Sequence, residues 1–272
     1  MKTRILSGIC IFAFLVLMIL TSGIPLVLNV IMAAVAAVAI YEVLKVGGLS
    51  GRKTLTVGAM IFAAAFVFCS DPNFPWHRLL LTLATFLLIL LTFTYYLKEY
   101  KNTTLPDLAF GLMMTLLVAF FFSAVVLTRR TEQGFWNLAM IYLLAWVPDT
   151  GAYFSGALFG KHKLAPVISP KKTIEGAVGG LVVCVGISYL FAWLVSLTGA
   201  TVNYGIVLVY AVVGTLISIL GDLTASLIKR HYNVKDYGNL IPGHGGIMDR
   251  FDSIWFVAPF VYLMIQLCPI FA

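Results

Sequence analysis

Charge is scarce in this sequence: Asp, Glu, Lys and Arg make up 11% of 272 residues, against roughly a quarter in soluble domains. With 61% hydrophobic residues and a mean hydropathy of +1.00, a water-soluble domain is excluded, and the solvent is lipid. Paired cysteines are missing as well. Cys10, Cys69, Cys184 and Cys268 stand singly in apolar stretches without C-x-x-C spacing, which argues against a zinc site or a disulfide framework and leaves them as packing residues. The polar–apolar alternation of barrel strands does not occur, so membrane spans must be helices, the other way to satisfy backbone groups in lipid. There is no internal repeat, low-complexity tract, soluble domain or linker. The net charge of +7 comes without basic patches interleaved with exposed aromatics; this speaks against nucleic acid and assigns the charge to topology and an anionic substrate.

What is present is a series of hydrophobic runs. A helix needs roughly 20 mostly apolar residues to cross a bilayer core, and nine segments approach or meet that length: 5–21, 24–44, 54–69, 76–97, 107–127, 135–158, 173–196, 203–228 and 249–268. Lys2, Arg4 and the apolar run to Leu20 have the layout of a signal peptide, but residues 21–23 make a poor cleavage site, so an uncleaved first span is expected. The expected fold is therefore all-α, a polytopic integral membrane protein with about nine transmembrane helices. With the N-terminus cytoplasmic, Lys2, Arg4, Lys45, Arg52, Lys53, Lys98, Lys101, Lys161, Lys163, Lys171, Lys172, Lys229, Arg230, Lys235 and Arg250 fall inside, against Arg78, Arg129 and Arg130 outside. The positive-inside rule selects this orientation and places the C-terminus outside. Trp76 and Trp136 then begin spans at the outer interface, where aromatic belts belong.

Polarity is uneven along the chain. Residues 1–130 read as an N-terminal region of about five spans with few polar groups. Residues 131–272 read as a catalytic region of about four spans, because 149–252 holds six of the 11 acids and the longest inner loops. Asp149 lies in the sixth apolar stretch, and Asp222 lies seven and eight residues before Lys229 and Arg230. Asp249 and Asp252, three apart, are expected on one face of the last span. A bare carboxylate in hydrocarbon costs about 2.5 kcal/mol or more, so each should face a watery cavity, a partner or an ion. Local pairing of Asp222 with Lys229 or Arg230, and of Asp249 or Asp252 with Arg250, is the plain alternative; the local cations are too few to serve all four acids. The functional reading has Asp222 and the Asp249/Asp252 pair converging on a hard divalent cation, for which magnesium suits carboxylates combined with substrate phosphates.

The opposite charge comes from KLAPVISPKKTIEG. Ser169-Pro170 is expected to fix a turn, and Lys171-Lys172 precede Thr173 at the start of the seventh span, a phosphate cradle by charge and helix polarity. Glu175, in the first turn, can equally cap the helix or reach the site. Between Ser226 and Asp252, the glycines Gly243, Gly245 and Gly246 around His244 let the backbone approach a ligand closely. Together with Lys229, Arg230, Lys235 and Asp236 they describe a pocket for a polyanion and its metal; His244 reads equally well as a phosphate or base contact and as a structural residue.

The stretch S-L-I-K-R-x4-K-D-x-G-x-L-I-P-G-H-G-G-I-x-D-R-F-D at 226–252 resembles the signature of the phosphatidate cytidylyltransferase (CDP-diacylglycerol synthase) family. Asp149–Gly160 and SPKKTIEG at 169–176 are similar to that family's other elements, in order and spacing. The resemblance covers about 145–255. It implies a helical enzyme of the inner (plasma) membrane, often a homodimer, that converts CTP and phosphatidic acid to CDP-diacylglycerol and pyrophosphate among membrane lipids, with Mg2+ and on resemblance alone a monovalent cation such as K+. On that resemblance Asp222 and Asp249 are metal-binding acids supported by Asp252, and Lys171, Lys172, Lys229, Arg230 and Lys235 bind phosphate. Asp149, Ser169, Thr173, Glu175, Ser226, Asp236, His244, Gly245, Gly246 and Arg250 complete the candidate substrate site. Two other readings compete: a CTP-dependent enzyme for a different lipid phosphate, and an ion-coupled transporter, which the lack of paired repeats disfavours. The D-G-x2-A-R-x8-G-x3-D-x3-D pattern of CDP-alcohol phosphotransferases is absent.

Overall fold

The structure, a computed structural model, describes Gly8, Ala13, residues 16–243 and residues 245–271. Lys2, Arg4, Cys10, most of the expected first span and His244 lie outside the described residues. The described elements are helices and one small hairpin, joined by loops. In chain order the elements are α1 (Pro25–Val46), α2 (Lys53–Cys69), α3 (His77–Glu99), α4 (Leu105–Arg129), α5 (Gly134–Phe159), β1 (Lys163–Ala165), β2 (Ser169–Thr173), α6 (Ile174–Ser196), α7 (Tyr204–His231), α8 (Met248–Phe251) and α9 (Ile254–Leu267).

Five of these, α1, α3, α4, α6 and α7, are long and apolar enough to cross a membrane. Three expected spans differ from that standard for visible reasons. Helices α2 and α9 have 17 and 14 residues and are apolar but short. Helix α5 has 26 residues, but Asn137, Pro148, Asp149 and Thr150 dilute its apolar character. The protein is an all-α, polytopic membrane protein, and its large apolar side chains point outward along whole helix faces, as Leu79, Leu83, Phe86, Leu90, Phe93 and Leu97 do on α3. Such faces are stable only against lipid or another apolar surface.

The chain divides into two compact units, residues 1–130 with 232–251, and residues 131–231 with 252–272. In the first unit α2 packs against α1, α3 and α4, and α1 also packs against α4. Pro25 and Pro106 occupy first-turn positions of α1 and α4, where a missing N–H costs nothing, and the Thr104 hydroxyl caps α4 by accepting from the Asp107 amide at 3.3 Å. Gly47 ends α1 beneath Phe110, whose ring would crowd any Cβ there. At the other end of this unit, Asp71 accepts from Arg130 Nε at 2.8 Å and from Asn29 Nδ2 at 3.0 Å. Arg130 also reaches Asn29 Oδ1 at 3.1 Å, which joins α1, the α2–α3 loop and the end of α4.

In the second unit α5 and α6 form the most extensive helix pair, and α7 packs against α5, α6 and α9. Small residues set the α5–α6 spacing. A Cβ on Gly180 would meet the Pro148 carbonyl oxygen at 2.5 Å, and one on Gly176 would meet the Ala152 carbonyl oxygen at 2.7 Å. Backbones therefore touch along this seam, the means by which membrane helices pack without a hydrophobic driving force. Ser218 on α7 donates to the Ala145 carbonyl at 3.1 Å, one turn before Pro148.

Two local expectations are corrected. Ser169-Pro170 is not a turn; it begins β2, antiparallel to β1, and the turn falls on residues 166–168. Pro170 is tolerated because a two-stranded ribbon has open edges. Asp249 and Asp252 do not share one continuous helix face, because the helix stops after Phe251 and α9 begins at Ile254. The Asp252 carboxylate accepts from the Ser253 amide at 2.9 Å, a side-chain bond that competes with the helical ladder.

Candidate active site

In the second unit α5, the hairpin, α6 and α7 enclose a cavity of about 400 Å3. Its walls carry Asp149 from α5, Ser169, Lys171, Lys172 and Thr173 from β2, and Asp222 from α7. Six candidates separated by up to 73 residues in the chain thus share one space. The remaining surface is mostly small or apolar, with Ala152, Gly156, Ala157, Leu164, Gly176 and Ile219 among the residues that supply it.

One ion pair stands among the cavity's charges. Lys172 Nζ contacts Asp222 Oδ2, both side chains about one-fifth exposed, so the partner of Asp222 is neither Lys229 nor Arg230. Asp222 Oδ1 accepts from the Ser226 hydroxyl at 3.3 Å, one turn further along α7. Asp149 Oδ2 accepts from the Ser253 hydroxyl at 2.9 Å, which attaches α5 to the start of α9. Lys171 is exposed at the cavity's edge.

The hairpin and α6 hold the lysines in register. Thr173 is the N-cap of α6, and its hydroxyl accepts from the Gly176 amide at 3.1 Å. Because Thr173 lines the cavity, the positive end of the helix opens onto it, as suits an anion. Glu175 is turned to the base of the hairpin, where it accepts from the Lys161 amide at 3.1 Å and meets His162 Nδ1 at 2.6 Å. Arg230 Nε donates to the Ile168 carbonyl at 3.3 Å, which ties the end of α7 to the hairpin turn. Lys229 is buried in the last turn of α7.

Residues 232–251 of the signature belong to the first unit. Lys235 and Asp236 are exposed in the loop after α7. Asp249 is buried, and its Oδ2 accepts from the Tyr237 amide at 2.8 Å and the Gly246 amide at 3.0 Å. Gly243 and Gly245 have φ of 78° and 84°, values favoured only for glycine, and Ile241 donates to the Gly245 carbonyl at 2.8 Å across the turn. Gly246 is buried, and Arg250 is half-buried in α8.

Sequence reasoning missed Glu42. This α1 residue is 3% exposed, and its carboxylate accepts from the amides of Ile247 at 3.1 Å and Met248 at 2.8 Å. The signal was available, since an acid inside an apolar run marks a functional or structural partner. It was overshadowed because the N-terminal region looked chemically bare.

Among the described residues no group of three or more His, Cys, Asp or Glu side chains offers a self-sufficient metal site. The donors fit a hard cation that completes its shell with water and phosphate. Asp222 is an oxygen donor on the cavity wall beside lysines, and magnesium typically takes only one or two carboxylates together with substrate phosphates.

Comparison with known proteins agrees with the signature. Residues 2–268 match the model of the Cytidylyltransferase family. The chain is 33% identical to the phosphatidate cytidylyltransferase of Staphylococcus aureus (strain COL) over 97% of its own length and 99% of that protein's. It is 33% identical to the enzyme of that name from Bacillus subtilis (strain 168) over 98% of both chains. The same name and identity recur in Staphylococcus epidermidis (strain ATCC 12228 / FDA PCI 1200), over 97% of this chain and 99% of the relative. A cavity lined by acids and lysines, a glycine-rich signature loop and a match along nearly the whole chain agree: this protein belongs to the cytidylyltransferase family.

Proposed function

We propose that the protein is a phosphatidate cytidylyltransferase of the bacterial plasma membrane, which transfers CMP from CTP to phosphatidic acid and yields CDP-diacylglycerol and pyrophosphate. The observation that carries this reading is the cavity where Lys171, Lys172, Asp149 and Asp222 meet at the N-terminus of α6. It offers cations and helix amides for phosphates, with an apolar part formed by Leu164, Ala157 and Ile219.

The phosphate of phosphatidate is ionised near neutral pH, so its oxygen attacks the α-phosphorus of CTP without a strong general base. A P–O bond forms to the α-phosphorus, the bond from that phosphorus to the bridging oxygen breaks, and the electron pair leaves with pyrophosphate. The obstacle is repulsion between two polyanions. Lys171 and Lys172 offset it, Thr173 and the first turn of α6 orient a phosphate, and in-line placement supplies much of the remaining acceleration. Lys172 exchanges its Asp222 partner for a phosphate oxygen when substrate arrives. Asp222 is the cavity residue that would hold magnesium, which when bound would neutralise charge on phosphate oxygens, and Asp249 and Asp252 are further candidate metal-binding acids. Lys229, Arg230 and Lys235 add positive charge, and a monovalent cation such as potassium and a homodimeric assembly belong to the same proposal.

Orientation follows from the charge count: the N-terminus and the basic loops are cytoplasmic, which puts the lysines on the side where CTP is found. The lipid's tails stay in the bilayer while its headgroup meets a water-soluble nucleotide. The test is a detergent-micelle assay with CTP labelled at the α-phosphate. Phosphatidate-dependent label in lipid with equimolar pyrophosphate, dependent on magnesium, supports the reading. Uptake of label into liposomes without chemistry sinks it in favour of transport, and paired lipid phosphates establish which headgroup is preferred.

A further inference from the structure

The glycine-rich turn of the signature is fastened by a carboxylate from the opposite end of the chain. Glu42, near the end of α1, directs Oε1 at the Ile247 amide and Oε2 at the Met248 amide, 205 and 206 residues away. Two glycines close over it. A Cβ on Gly238 or on Gly246 would press on the Glu42 carboxylate, so a side chain at either place would have to displace it. From inside the loop Asp249 receives the amides of Tyr237 and Gly246. Four loop amides thus end on two buried carboxylates, and the turn between them holds Gly243 and Gly245 in left-handed conformations.

A four-residue helix such as α8 cannot organise its own start, because nucleation of a short helix is unfavourable. Something outside the loop must fix where the Gly245–Met248 backbone points. A carboxylate is also a costly side chain to place in an apolar helix, and packing alone would favour an apolar residue at position 42. We propose that Glu42 is a positioning residue for nucleotide binding: by fixing the backbone of Ile247 and Met248 it keeps the glycine-rich signature loop in the shape that binding of CTP requires. The proposal rests on the cytidylyltransferase reading.

The experiment uses the full chain in micelles and the variants Glu42→Ala, Glu42→Gln, Gly246→Ala and the double variant of Glu42→Ala with Gly246→Ala. Steady-state constants are measured for CTP and phosphatidate separately, with amide exchange of residues 237–249 followed without substrate. Each hydrogen bond to a charged acceptor is worth about one factor of ten or more in an equilibrium. Glu42→Ala is expected to raise KM for CTP about tenfold or more, leave KM for phosphatidate unchanged, and speed exchange at Ile247 and Met248 by a similar factor. Glu42→Gln keeps one acceptor oxygen and falls between. Gly246→Ala impairs the native chain but costs less in the Glu42→Ala background, where its methyl group has room. The proposal is overturned if Glu42→Ala lowers thermal stability while KM for CTP or the exchange of these amides stays unchanged, or if the glycine effect is fully additive. A native chain that does not consume CTP at all defeats the enzymatic reading instead, and the exchange data still decide whether Glu42 fastens the loop.

Discussion

The α5–α6 seam makes a quantitative prediction through two glycines on the same helix. A methyl group added at Gly186 on α6 would have nothing within 4 Å, whereas at Gly180 it would stand 2.5 Å from the Pro148 carbonyl oxygen and 3.1 Å from the Ala152 nitrogen. Replacing glycine with alanine inside a helix gains up to about 1 kcal/mol in propensity, so Gly186→Ala should be neutral or stabilising by that amount. At Gly180 the gain is opposed by overpacking, typically about 1–3 kcal/mol, and the obstacle is backbone, which has no rotamer through which to yield. The net expectation is a loss of up to about 2 kcal/mol. Activity should fall further, because Ala152 and Gly176 sit on the same seam and line the cavity. Thermal unfolding in detergent, followed with initial rates, checks both. If Gly180→Ala is as stable and as active as Gly186→Ala, the helices are not in backbone contact and the cavity geometry drawn from that seam is wrong.

Other consequences are simpler to state. Lys172→Met removes the cation against Asp222 and should lower kcat/KM by about 10²–10³-fold, the usual effect of losing one transition-state charge partner, with a smaller change in stability; unchanged kinetics would remove Lys172 from the mechanism. Ser253→Ala deletes the hydroxyl that binds Asp149 and should destabilise the second unit by about 1–3 kcal/mol, visible as a lower unfolding midpoint. Burial alone would raise the Asp71 carboxyl, but hydrogen bonds from Asn29, the Asn73 amide and Arg130, with the charge of that guanidinium, hold it below the ordinary aspartate range. A depressed folded-state pKa stabilises above the unfolded value of about 3.9, and that stability is lost as pH falls further through the folded value. Asp71→Asn should flatten this acid limb of the unfolding midpoint; an unaltered limb would show that the pair with Arg130 contributes nothing.

Much of this was readable in the sequence, and the unreadable part has physical causes. Hydrophobic runs announced α1, α3, α4, α6 and α7, because lipid imposes length and apolarity on a span. Asp149, Asp222, Lys171 and Lys172 stood out as polar groups that an apolar environment must satisfy, and one cavity holds all four. The hairpin was hidden because Ser169-Pro170 has the composition of a turn, whereas its strand character depends on pairing with Lys163–Ala165. The break between α8 and α9 was hidden by the apolar run from Ile254 onward, which masked the competition of the Asp252 side chain for the Ser253 amide. Glu42 shows a third limit. Its partners are backbone amides 205 and 206 residues away, and no local spacing rule encodes a contact of that kind.

The central claim is that acids and lysines reaching into the second unit's cavity run a cation-assisted CMP transfer, and Asp222→Asn tests it most directly. The variant keeps the size and hydrogen-bonding capacity of the side chain while removing its charge. With saturating CTP and phosphatidate and a full magnesium titration, turnover should drop by at least about a hundredfold and should not be restored by excess metal. Turnover close to that of the native chain over the same titration would contradict the account.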